Sequence, residues 1–221
     1  MNLLIKFSGE FFDAKDDLTS EGKELLNLIK ESNRGYIVIG GGNRIRGRDS
    51  WYSRTGSDNI GVISTLMNGF ILKEHFKHHE KKVKLFSHFI GFGELYNPKD
   101  AIEAFENSHW VIFASGLGRV SYVSTDLSSV IKALEVKANA VVKITKSGGV
   151  FDSDPKFNKD AKIIKNISHD EVLQRNLSVM DLSAIAIAAE NELPIAVMNV
   201  SDFKLFLNNQ NVGSIIGKDW R

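Results

Sequence analysis

The 221-residue chain is 43% hydrophobic and 25% charged, the balance of a globular protein long enough for one sizeable domain. A formal net charge of +1 gives no whole-molecule attraction to nucleic acid or to an anionic membrane, so any anion site must be local. The absence of cysteine excludes disulfides, thiolate metal sites and a thiol nucleophile.

The apolar run in MNLLIKFSGE meets glycine too soon to act as a signal sequence, and no stretch approaches the ~20 apolar residues that span a bilayer. A cytoplasmic protein is expected. Residues 3–7 (LLIKF) predict a buried strand that stops at Ser8-Gly9. Leu18, Leu25, Leu26 and Ile29 form one stripe of a helix over 17–32, and residues 36–39 (YIVI) form a second strand, broken by Gly40-Gly41-Gly42. A polar, arginine-rich loop from Asn43 to Ser57 leads into a long helix over about 59–79. Its His75, His78 and His79 stand among lysines and glutamates and read as a solvated face.

Strands at 83–86 and 110–114 (WVIFA) flank a short helix at 98–107, and the second strand meets Gly116-Leu117-Gly118. A helix over 126–136, a strand at 140–144 (AVVKI), a turn-rich segment at 147–160, a helix over 181–191 and a strand at 195–200 with a short tail complete the chain. Phe11, Phe12 and Trp110 are expected in the core or an interface. Strands alternating with helices imply right-handed crossovers and an α/β fold: one three-layer domain over 1–221, with an open, mainly parallel sheet and helices on both faces.

In such sheets ligands bind beyond the carboxyl ends of the strands. Four strands here end in polar or glycine-rich loops, at Ser8-Gly9, Gly40 to Gly42, Gly116 to Gly118 and Thr145 to Gly149. Lys6, Arg46, Lys143 and Lys146 stand in or beside them. Glycines let backbone amides approach an oxyanion closely. A single such loop is ordinary turn chemistry, but four together with cations point to phosphate. GxxxxGK[ST], a GxGxxG after the first strand and GxSxG are all absent, which excludes the common phosphate loops and the hydrolase elbow.

Several motifs follow one another along nearly the whole chain. They are Lys6-Phe7-Ser8-Gly9-Glu10, then Ile39 to Asn43 with Arg46-Gly47, then Asp58-Asn59-Ile60-Gly61 running into Met67-Asn68-Gly69. Ser124-Thr125-Asp126, Lys143-Ile144-Thr145-Lys146, Asp154-Pro155, Val179-Met180-Asp181-Leu182, and Leu193-Pro194-Ile195 with Met198-Asn199 come after them. In that order they resemble K-L-S-G-E, I-G-G-G-N-x-x-R-G, D-x-M-G-M-L-A-T-x-x-N-G, T-T-D, K-A-T-K, D-P, V-M-D-L and L-P-I-x-V-x-N of the bacterial UMP kinases, in the amino acid kinase superfamily.

The resemblance implies phosphoryl transfer from ATP to UMP with Mg²⁺, in a homo-oligomer, a hexamer by family. It implies an acceptor-binding part over about 1–135 and an ATP-binding part over about 136–221. Lys6, Asp126 and Lys143 are its catalytic group, the two lysines neutralising the transferring phosphoryl and Asp126 orienting them. Gly41, Gly42, Arg46, Asp58, Gly118, Arg119 and Thr125 fall to UMP, with Asp58 on the ribose hydroxyls and Arg46 on the phosphate. Ser8, Gly9, Thr145, Lys146, Phe151, Asp154 and Asp181 fall to ATP.

Simpler readings stand beside these. Lys6 and Lys143 could reach solvent at strand ends. Asp58, Asp126 and Asp181 could be helix N-caps, and Asp154 suits a turn. Three departures also stand out. Ser147-Gly148-Gly149-Val150 replaces V-D-G-V and lacks its acid, the loop from Gly116 to Asp126 gains Arg119 and loses proline, and the loop before Asp58 is short, with Arg48 and Arg54. A relative with another acceptor, or a non-catalytic nucleotide- or anion-binding protein, is therefore the alternative.

Overall fold

A computed structural model describes residues 2–13, 17–44, 51–153 and 158–218. Its strands are β1 (Leu3–Phe7), β2 (Gly35–Ile39), β3 (Val83–Ser87), β4 (Glu94–Leu95), β5 (Trp110–Phe113), β6 (Ala140–Ile144), β7 (Val150–Phe151), β8 (Ile163–Ile164), β9 (Asn166–Ile167), β10 (Ile195–Met198) and β11 (Ser214–Ile216). The helices are α1 (Ser20–Ile29), α2 (Arg54–His78), α3 (Pro98–Glu106), α4 (Thr125–Glu135), α5 (His169–Gln174), α6 (Leu182–Glu190) and α7 (Val200–Leu207).

Among the described residues one sheet runs β4-β3-β5-β2-β1-β6-β10-β11-β9, and β7 pairs separately with β8. Every neighbouring pair in the large sheet is parallel except β10 with β11. The central strands are apolar throughout because both faces are covered. Alternation assigns the faces: Leu4, Val38, Val141 and Val197 pack with residues of α3, α4, α5 and α6, while Ile5, Ile37, Val142 and Ala196 pack with those of α1, α2 and α7. This is the three-layer architecture expected. Phe11, Phe12 and Trp110 are buried in the second layer.

The boundaries differ in instructive places. The long helix begins at Arg54, five residues earlier than expected, because Ser53 rather than Asp58 caps it by accepting from Gly56 N. Asp58 is therefore inside a helix. Likewise Ser124, not Thr125 or Asp126, caps α4, taking the N–H groups of Asp126 and Leu127. Asp181 does occupy the N-cap position of α6, yet its side chain makes no capping bond. The expected last strand stops at Met198, where Asn199 accepts from Asp202 N at 2.7 Å and starts α7. The "short tail" also contains β11, which lies in the sheet between β10 and β9.

Candidate active site

Lys6 and Lys143 are direct neighbours in register on the adjacent central strands β1 and β6. Paired residues of a parallel ladder point to the same face, so two ammoniums emerge side by side near the strands' carboxyl ends. Asp126, in the first turn of α4, is set between them: Lys6 Nζ is 3.2 Å from Oδ1 and Lys143 Nζ is 2.8 Å from Oδ2. Lys143 also donates to the Val179 carbonyl at 2.7 Å. The three side chains are 9%, 12% and 14% exposed, so neither lysine is simply a solvated strand end.

Burial pushes the Asp126 carboxyl upward, but the charges of Lys6 and Lys143 outweigh it and hold the group down at about 2. Lys143 is lowered, chiefly by burial and also by Lys6, against the pull of Asp126. The cluster is thus a carboxylate between two cations with a net positive charge, suited to meeting an anion.

Helix α2 fixes the loops around it. Asn68, fully buried, donates to the Gly40 carbonyl at 2.8 Å, and Ser64 donates to the Gly41 carbonyl at 2.8 Å. Thr65 Oγ1 accepts from Ser115 N, anchoring the start of the second glycine loop. The two glycine loops nearest β1 touch backbone to backbone: a Cβ on Gly9 would lie 2.5 Å from Gly42 N. At Gly118, φ is +76° and a Cβ would lie 3.2 Å from the His88 side chain, a tight contact.

Two cavities open at the carboxyl edge. One, of about 560 Å³, is lined by Gly41, Gly42, Asp58, Gly118, Thr125 and Asp126 among others. The other, of about 710 Å³, is lined by Lys6, Ser8, Thr145, Lys146 and Phe151 among others. Lys143 lines both, so the lysine pair stands where the two meet.

The model of the family described as "Amino acid kinase family" matches residues 1–199. The chain belongs to the amino acid kinase family. It is 38% identical to a uridylate kinase of Buchnera aphidicola, over 97% of this chain and 96% of that one. A uridylate kinase of Campylobacter jejuni is 36% identical over 90% of this chain and 88% of its own. Among solved structures, a UMP kinase of Bacillus anthracis superposes with a TM-score of 0.89 at 31% identity, covering 99% of this chain and 96% of that chain.

In this amino acid kinase most of the expected site residues come together at the two cavities. Three do not fit simply. Asp181, expected among the ATP residues, lines the first cavity with Lys143 rather than the second, which is lined by Ser8, Thr145, Lys146 and Phe151. Gly9 serves the close crossing with Gly42 instead of lining a cavity. Arg119 is exposed and lines neither cavity. Arg46 and Asp154 lie outside the described residues. His75, read as part of a solvated face, contacts Asp17 at 2.7 Å.

Other contributors were not anticipated. Arg54 pairs with Asp58 across one helical turn, which the spacing would have disclosed had the helix been started at 54. Glu10 accepts from Lys146 N at 3.1 Å, tying the first loop to the fourth. Arg175, beyond α5, reaches the second cavity and donates to the Asp152 carbonyl. At the position lacking the family's acid, Gly148 has φ +80°, and a Cβ there would lie 2.8 Å from Asn199 Nδ2. The missing carboxylate thus coincides with a turn built for glycine.

Proposed function

We propose that this kinase transfers the terminal phosphoryl group of ATP to UMP, giving UDP and ADP. The observation that carries the proposal is the Lys6–Asp126–Lys143 cluster at the junction of two cavities. The cavity with Asp58, Gly41, Gly42, Gly118 and Thr125 suits the acceptor, and that with Ser8, Thr145, Lys146 and Phe151 suits the donor. The names of the relatives, uridylate kinase and UMP kinase, support UMP as the acceptor.

An acceptor phosphate oxygen is already ionised at neutral pH, so no general base is needed. That oxygen attacks the terminal phosphorus in line, the bond to the bridging oxygen breaks, and its electron pair leaves on ADP. Lys6 and Lys143 neutralise the charge spread over the transferring oxygens. Asp126 keeps both ammoniums aimed there without reorganisation, which is how a preorganised site lowers the barrier. Lys143 is held from behind by the Val179 carbonyl.

Mg²⁺ is the expected companion of ATP. Both Asp126 oxygens face lysines, and no group of three metal-ligating side chains occurs among the described residues. That donor set suits a hard cation held mainly by substrate phosphates, with Asp181, a second carboxylate that shares a cavity wall with Lys143, as the side chain that would contact it. When bound, Mg²⁺ would neutralise charge on the donor phosphates.

ATP as donor is in keeping with a cytoplasmic enzyme, and among the described residues no helix is long and apolar enough to cross a membrane. A homo-oligomer, hexameric as the resemblance implies, is supported by the stripe Ile60, Ile63 and Met67 on α2, which is 36%, 57% and 40% exposed.

The test is ADP release from ATP and Mg²⁺ with a panel of nucleoside monophosphates. Turnover with UMP well above CMP, AMP and GMP is expected. Nucleotide binding without turnover, or turnover only with other acceptors, would overturn the proposal.

A further inference from the structure

The first cavity contains an ion pair that phosphoryl transfer itself does not require. Arg54 precedes Asp58 by one turn of α2, and its Nε–H is shared between Asp58 Oδ1 and Oδ2 at 3.0 and 3.1 Å. Oδ2 also accepts from the backbone N–H of Tyr122 at 2.8 Å. The Arg54 Cζ lies 5.3 Å from the centroid of the Tyr122 ring, within reach of a cation–π contact. Tyr122 has a φ of +66°, a conformation that costs a non-glycine residue energy and persists where surrounding contacts enforce it. Here the enforcing contacts are those to Asp58 and Arg54.

A carboxylate offers about four lone-pair directions. Arg54 and Tyr122 engage it from two sides and leave the rest for a ligand in the cavity that Asp58 lines. Without the guanidinium, Asp58 loses the partner that fixes its rotamer. The segment around Tyr122 also loses its tie to α2.

We infer that Arg54 is a positioning and specificity residue: it holds Asp58 in the orientation that reads the acceptor's ribose hydroxyls and, through Tyr122, draws the 116–124 loop over the acceptor. The identity of the acceptor rests on the function proposed above. The clip itself rests on geometry.

The experiment measures UMP and dUMP dissociation constants by calorimetry for the wild type, Arg54→Ala, Arg54→Lys, Asp58→Ala and the double Ala variant, with thermal melts to verify folding. A carboxylate that reads a hydroxyl should favour UMP over dUMP by on the order of tenfold or more. Arg54→Ala is expected to shrink that ratio to about two- to threefold, mainly by weakening UMP, and Arg54→Lys to restore part of it. In the Asp58→Ala background, adding Arg54→Ala should leave the ratio unchanged, because Arg54 acts through Asp58. A folded Arg54→Ala protein with the wild-type ratio would overturn the inference while leaving the proposed function intact. A wild type that binds neither nucleotide would overturn both.

Discussion

Replacing Asp126 by asparagine removes the negative charge from between two ammoniums and keeps the side chain's size. At 3.2 and 2.8 Å each contact is worth about 5–6 kcal/mol of Coulomb attraction at an effective dielectric near 20. Burial of the carboxylate opposes this, and the balance is the fall from 3.8 to about 2, equivalent to about 2–3 kcal/mol. The variant loses more than that balance, because Lys6 and Lys143 then face each other in register with no anion between them. Breaking a buried pair typically costs about 3–5 kcal/mol, and that is the expected loss at neutral pH. Urea unfolding across pH measures it.

The sign in acid is definite. Folded Asp126 binds fewer protons than unfolded Asp126, so its stabilisation is complete above pH ~4 and is lost as pH falls toward 2. The asparagine variant should lack that slope. In alkali the variant's deficit should narrow, because Lys143, lowered already by burial, can discharge. Turnover should fall by about 10²–10³, as when a preorganised electrostatic contact is removed. A variant within about 0.5 kcal/mol of the wild type at neutral pH, with the acid slope intact, would refute the reasoning.

Three further outcomes are expected. Asn68→Ala leaves the buried Gly40 carbonyl without its donor and should cost about 1–3 kcal/mol in urea unfolding, with weaker UMP binding by calorimetry. Gly118→Ala puts a Cβ 3.2 Å from His88 at a φ of +76° and should cost about 1–3 kcal/mol, read from thermal melts together with a higher KM for UMP. Gly148→Asp, which restores the family's acid, should destabilise the protein by about 1–3 kcal/mol through its φ of +80° and its contact with the Asn199 amide, with no gain in ATP affinity.

The central strands were legible because apolar runs such as YIVI and AVVKI are continuous wherever a sheet is covered on both faces. The two- and three-residue strands β4, β7, β8, β9 and β11 are shorter than any periodicity, and the six-residue α5 barely completes a turn and a half. The start of α2 was hidden by Arg54-Thr55-Gly56-Ser57, residues of mixed or poor helix propensity that read as loop. With α2 starting at Arg54, Asp58 lies one turn inside the helix and pairs with Arg54, a relation that a loop over 54–57 does not disclose. Lys6, Asp126 and Lys143 were each nameable from their motifs. Their assembly was implied by the resemblance alone and not by any residue pattern, because it depends on the β1–β6 register and on α4 packing against both strands. Asp181 shows the same limit: its motif implies a place among the ATP residues, and the start of α6 puts it on the wall of the first cavity with Lys143, which no motif discloses.

The position of β1 gives Lys6 a second life during synthesis. Until β6 has been made and docked, β1 is a sheet edge, and an inward-pointing lysine on an exposed edge discourages pairing with stray chains. Its opposite charge, Asp126, and its companion, Lys143, both come from much later in the chain, so a nascent or truncated chain carries a guarded edge and no working site. In the finished sheet that same charge is buried against Asp126.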